Sequence, residues 1–96
     1  MDREKIIRTL KRFKEENKNK YAIRRLGIFG SVAKNCMKEN SDIDIVVNLA
    51  NQDLFNLIGI KQDLEEILKS PVDIVSYRES MNAFLKKRID EEAVYV

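Results

Sequence analysis

Aspartate is a poor strand former, yet the most strand-like run of this chain carries two of them. Residues 42–49 read Asp-Ile-Asp-Ile-Val-Val-Asn-Leu, and Ile43, Ile45, Val46 and Val47 are strong strand formers. The two-residue period of a strand puts Asp42 and Asp44 on one face and Ile43, Ile45 and Val47 on the other. Such a strand belongs in a sheet with one packed face and another face that has a use for carboxylates. Residues 72–77 repeat the pattern, with Asp73 between Val72 and Ile74.

The segments around these strands alternate in type. Residues 2–16 form an amphipathic helix pattern through Ile6, Ile7, Leu10 and Phe13, and 17–20 make a polar turn. A strand falls within 21–29, best defined at Leu26-Gly27-Ile28-Phe29, and ends at Gly30-Ser31. A short helix is expected to begin at Ser31 and run to Asn35, with a polar loop over 38–41. Asp53 is placed to cap a helix reaching Lys69, with Leu54, Leu57, Ile58, Leu64, Ile67 and Leu68 as its buried stripe. Ser70-Pro71 breaks it. Ser80 is expected to cap a last helix ending near Glu92. This order predicts an α/β (α+β) fold, a small mixed three- to four-stranded sheet with helices packed mainly on one face. The helix between the second and third strands favours a parallel, right-handed crossover; the first two strands can pair either way. At 96 residues the expectation is a single domain over 1–96, since a chain of this size buries only about 60–65% of its unfolded surface.

Several classes of function drop out. Absence of histidine removes imidazole acid–base chemistry, Ser-His and Cys-His nucleophiles and histidine-ligated zinc. The one cysteine, Cys36, cannot make an internal disulfide, which fits a cytoplasmic protein. No apolar run approaches the roughly 20 residues of a membrane span, and the Met-Asp-Arg-Glu-Lys start lacks the apolar core of a signal peptide. Residues 1–25 hold ten Lys/Arg against four acids. Without interleaved aromatics or a nucleic-acid motif, that excess is read as a solvated helix face, and no direct nucleic-acid partner is expected. What remains is chemistry by carboxylates, hydroxyls, Lys/Arg and a hard metal ion.

If the second and third strands are neighbours, Asp42, Asp44 and Asp73 converge on one patch. Unit charges about 4 Å apart repel by roughly 4 kcal/mol at an effective dielectric near 20, so three carboxylates need a cation or a raised pKa. An all-oxygen donor set points to magnesium. Phe29-Gly30-Ser31, at the end of an apolar strand, offers backbone N–H groups, close approach at glycine and a hydroxyl to a phosphate. Lys34, one turn on, can neutralise phosphate charge. A phosphate cradle beside three carboxylates is what phosphoryl or nucleotidyl transfer requires. In that chemistry Asp42 and Asp44 bridge two metal ions, Asp73 serves the attacking hydroxyl, and Gly30 and Ser31 hold the phosphates.

Gly30-Ser31, ten residues, then Asp42-Ile43-Asp44 resembles the defining motif of the polymerase-beta-type nucleotidyltransferase superfamily. Leu26-Gly-Ile-Phe-Gly-Ser-Val-Ala-Lys followed by Asn40-Ser-Asp-Ile-Asp-Ile-Val-Val is similar to its minimal nucleotidyltransferase branch, the MNT or MntA proteins, and Val-Asp-Ile-Val at 72–75 supplies a third acid. The family often shows Arg and Gly where this chain has Lys34 and Asn35. The resemblance implies a magnesium-dependent enzyme using ATP, and an antitoxin that transfers AMP to a tyrosine of a HEPN-domain RNase toxin. Alternatives are transfer to a small-molecule hydroxyl, or a non-catalytic antitoxin acting by steric masking. The apolar tail Ala93-Val94-Tyr95-Val96 and the exposed part of the last helix are candidates for the partner interface; the tail can equally pack over the chain's own sheet.

Overall fold

The computed structural model describes residues 2–34, 42–51 and 53–96. The polar loop expected at 38–41, and Asn35 at the end of the expected short helix, lie outside them. Asp2 starts α1 (Arg3–Asn17) by accepting the Lys5 N–H at 2.8 Å, and the stripe Ile6, Leu10, Phe13 is buried. β1 (Ile23–Ile28) and β2 (Ile43–Leu49) follow, then α2 (Leu54–Leu68), β3 (Val72–Ser76), α3 (Ala83–Glu92) and β4 (Val94–Tyr95). The sheet order is β3-β2-β1-β4. β2 and β3 are parallel, while β1 is antiparallel to β2 and to β4. The sheet is therefore mixed, and the pairing of the first two strands, open in the sequence, is antiparallel.

Two faces have separate cores. Ile43, Ile45, Val47 and Leu49 of β2 join Leu26 and Ile28 of β1 against Ile6, Leu10 and Phe13 of α1 and Ile60, Leu64 and Leu68 of α2. On the opposite face, Phe29 and Val46 pack with Ile89 of α3, bordered by Val75, Leu85 and Tyr95. Among the described residues, α1 and α2 thus share one face, and α3 crosses the face that carries the aspartates.

Asp53 caps α2 as expected, accepting the Phe55 N–H at 2.8 Å. The buried stripe of α2 differs from expectation. Ile60, Leu64 and Leu68 face the sheet, whereas Leu54, Ile58 and Ile67 are 66%, 43% and 52% exposed. One residue is about 100° of helix, so Ile58 and Ile67, next to Leu57 and Leu68, turn out of the stripe that Ile60 completes. The last helix is capped by Asn82, not Ser80: its side chain accepts the Leu85 N–H at 3.1 Å. The C-terminal tail packs on the chain's own sheet as β4. Val96 N–H donates to the Leu26 carbonyl at 2.8 Å, and Lys14 Nζ donates to the Val96 carbonyl at 2.9 Å. Among the described residues no helix is long and apolar enough to cross a membrane.

Candidate active site

Parallel pairing sets Asp44 directly opposite Asp73. Residues opposed in register share a face, so the two carboxylates stand side by side on the face crossed by α3. Asp42 lies one step before β2, on the same side by the strand period, and is exposed. Asp44 is the enclosed member, its side chain 20% exposed. Its pKa is raised, first by burial, then by the negative charge of Asp73 and less by Asp42 and Glu92, while Arg88 opposes the rise. These acids share one field. Among the described residues, no three acidic, histidine or cysteine side chains are drawn close enough to grip an ion between them.

The phosphate-cradle candidate sits at the end of β1, tied to β2 by the Phe29 N–H bond to the Asp44 carbonyl at 3.1 Å. Gly30 has φ +70°, a conformation that costs L-residues roughly 1–2 kcal/mol. A Cβ there would land on Asp44 Oδ2 and lie 2.9 Å from Arg88 Nη2. Glycine is required here twice over, by backbone hand and by space. Residues 31–34 turn once, with the Lys34 N–H donating to the Gly30 carbonyl at 3.1 Å. The expected short helix is thus a turn as far as it is described, and it leaves Ser31 half-buried beside Gly30.

Two further residues complete the site, and the sequence reading missed both. Arg88 of α3 places Nη2 4.0 Å from Asp44 Oδ2, with its guanidinium carbon 5.4 Å from the centre of the Phe29 ring. Its Nε donates to Glu92 Oε2 at 3.2 Å, and Glu92 Oε1 lies 2.6 Å from Lys34 Nζ. The Lys34 hydrogen bond holds the Glu92 carboxyl below its usual range, with Arg88 helping. Lys34, expected to face phosphate, is here paired to a carboxylate at the rim. Only the i,i+4 spacing of Arg88 and Glu92 hinted at a pair, and nothing local placed that pair over the aspartates.

The structure therefore brings Gly30, Ser31, Asp44 and Asp73 together, with Asp42 at the edge and Lys34 reaching in through Glu92. Hard carboxylate oxygens on one face, with the partly enclosed Asp44 opposed to Asp73, suit a hard divalent cation in donor type. Carboxylates beside a backbone turn at a strand end match the pattern that the sequence resemblance implies.

The comparisons with known proteins agree. The family model described as "Polymerase beta, Nucleotidyltransferase" matches residues 4–96. The protein MJ0435 of Methanocaldococcus jannaschii is 45% identical over 80% of this chain and 83% of its own. Protein adenylyltransferase MntA of Thermococcus cleftensis is 33% identical over 97% of this chain and 94% of its own. A solved structure assigned as a minimal nucleotidyltransferase superposes with TM-score 0.80 at 29% identity, covering 98% of this chain and 95% of that one. The MntA toxin–antitoxin complex gives TM-score 0.74 at 25% identity, covering 99% of this chain and 72% of that one. This chain belongs to the polymerase beta nucleotidyltransferase family, in its minimal branch.

Proposed function

We propose that the chain is a magnesium-dependent protein adenylyltransferase, the antitoxin of a pair, which transfers AMP from ATP to a tyrosine of a HEPN-domain RNase toxin and silences it. The observation that carries this is the register of Asp44 on Asp73 beside Gly30, in a chain whose relatives include a protein adenylyltransferase and a toxin–antitoxin complex.

Asp42, Asp44 and Asp73 are the residues that would hold the magnesium, Asp73 also serving the acceptor hydroxyl. Bound magnesium supplies charge neutralisation for the triphosphate and a lowered pKa for the acceptor hydroxyl. Gly30 and Ser31, with Lys34 at the rim, hold the β- and γ-phosphates so that the leaving group stays in line. Asp73 accepts the tyrosine proton as its oxygen bonds to the α-phosphorus. The bond from that phosphorus to the bridging oxygen breaks, and pyrophosphate departs. The site faces outward on one side of α3, so a folded partner can present its own hydroxyl. With the tail committed to β4, the exposed part of α3 remains for that partner: Phe84, one turn before Arg88, is 89% exposed. We place the reaction in the cytoplasm, where ATP and magnesium are supplied. Steric masking needs none of the three acids, and no observation singles out a small-molecule acceptor.

The test is incubation with ATP, magnesium and the partner encoded beside this chain's gene, read by intact mass. AMP units should appear on the partner with the wild type and not with Asp42→Ala, Asp44→Ala or Asp73→Ala. Equal modification by those variants would refute the assignment.

A further inference from the structure

We propose that Arg88 is a nucleotide-binding residue of this site, its guanidinium passing from Asp44 to the triphosphate, with Glu92 as the residue that positions it. This rests on the nucleotidyl-transfer reading and adds to it a group from α3, far from the strand motif. Several observations converge. Arg88 Nη2 is 4.0 Å from Asp44 Oδ2, too far for a hydrogen bond and unlike the tight bidentate pair a structural Arg–Asp bridge makes. Its side chain is 49% exposed, so the group lies at the open side of the site. The same Nη2 would stand 2.9 Å from a Cβ on Gly30, which puts it at the mouth of the turn that takes phosphate.

What keeps Arg88 there is also visible. Glu92 accepts its Nε at 3.2 Å, and Phe29 lies beneath the guanidinium at 5.4 Å. These contacts hold the Nε edge and one face of the plane, leaving the Nη2 end directed at Gly30 and Asp44. Glu92, its side chain only 15% exposed, also binds Lys34 Nζ at 2.6 Å. One carboxylate thus anchors two cations, Arg88 and Lys34. A planar fork of donors matches phosphate oxygens better than a lone carboxylate oxygen at 4.0 Å. With Asp44 given over to a cation, the Nη2 end of Arg88 would be left for a phosphate at Gly30.

The test is calorimetric titration with α,β-methylene ATP in magnesium, and separately with adenosine, for wild type, Arg88→Ala, Arg88→Gln, Arg88→Lys and Glu92→Gln. Glutamine keeps a side chain packed over Phe29 should alanine compromise folding. Alanine and glutamine should weaken the triphosphate analogue by about tenfold or more, as loss of a hydrogen bond to a charged group does, and leave adenosine unchanged. Lysine should fall between, keeping charge without the fork. Glu92→Gln should raise the KM for ATP more than it lowers kcat, which a general loss of fold would not do. Wild-type affinity in folded Arg88→Ala or Arg88→Gln overturns the proposal. If the wild type still transfers AMP, that failure is confined to Arg88; a wild type that neither binds the analogue nor transfers AMP brings down the functional reading as well.

Discussion

Asp44→Asn removes one negative charge from the middle of the acidic face and keeps the size of the side chain. Neighbouring strands lie about 4.8 Å apart, and Asp44 is directly opposed to Asp73. Two unit charges about 5 Å apart repel by roughly 3 kcal/mol at an effective dielectric of 20 and by under 1 kcal/mol in water. The half-exposed Arg88 at 4.0 Å returns no more than about 1 kcal/mol once solvent screening is counted. The variant should therefore be more stable than the wild type in metal-free buffer by about 1 kcal/mol, or roughly 4–8 °C in melting temperature for a chain of this size. The sign in pH follows from the raised pKa of Asp44. Its ionisation costs stability, so the advantage of asparagine is full above the raised pKa and fades as pH falls towards the ordinary aspartate value. Thermal melts followed by circular dichroism in EDTA, and again with magnesium and α,β-methylene ATP, read both halves. The wild type should gain stability from magnesium and nucleotide, and the variant should gain far less. A variant that melts at or below the wild type in EDTA, or responds equally to magnesium and nucleotide, would show that these charges are not crowded on one site.

Other expectations are more local. Gly30→Ala combines a φ of +70° with a Cβ driven onto Asp44; it should lower stability by about 1–2 kcal/mol or more and abolish AMP transfer, and an active, equally stable variant would mean the turn is built differently. Glu92→Gln should cost stability at neutral pH, because the Lys34 hydrogen bond depresses the Glu92 pKa; the deficit should close as pH falls through that depressed value, and urea melts across acid pH would show whether it does. Ile60→Ala, at a fully buried position against the sheet, should cost about 2–5 kcal/mol, whereas Leu54→Ser, at a residue 66% exposed, should stay within about 0.5 kcal/mol. Denaturant midpoints for the two variants side by side decide whether α2 packs by the Ile60-Leu64-Leu68 stripe.

The alternation at 42–49 and 72–77 made the strands and their acidic face legible, because a period of two depends on nothing outside the strand. The helix between them favoured a right-handed crossover, and the structure makes β2 and β3 parallel neighbours, which brings Asp73 opposite Asp44. Leu54 and Ile67 read as core because composition alone cannot choose between adjacent helical stripes; the sheet makes that choice by selecting Ile60. Ser80 and Asn82 are both good caps, and the helix starts at the second. Arg88 and Glu92 stayed hidden for a different reason. Their position depends on α3 crossing the face opposite α1 and α2, a tertiary decision made when Ile89 packs on Phe29 and Val46. The tail was open between two roles until its pairing with Gly27 and Ile28 settled one of them.

Co-crystals with manganese and α,β-methylene ATP, examined by anomalous scattering, bear most directly on whether acids from two strands serve one cation site. The expected map has metal peaks bounded by Asp42 and Asp44, one of them within bonding reach of Asp73, with the phosphates at Gly30 and Ser31. Metal bound elsewhere, or nucleotide bound with Asp73 turned from every peak, would contradict the proposed site.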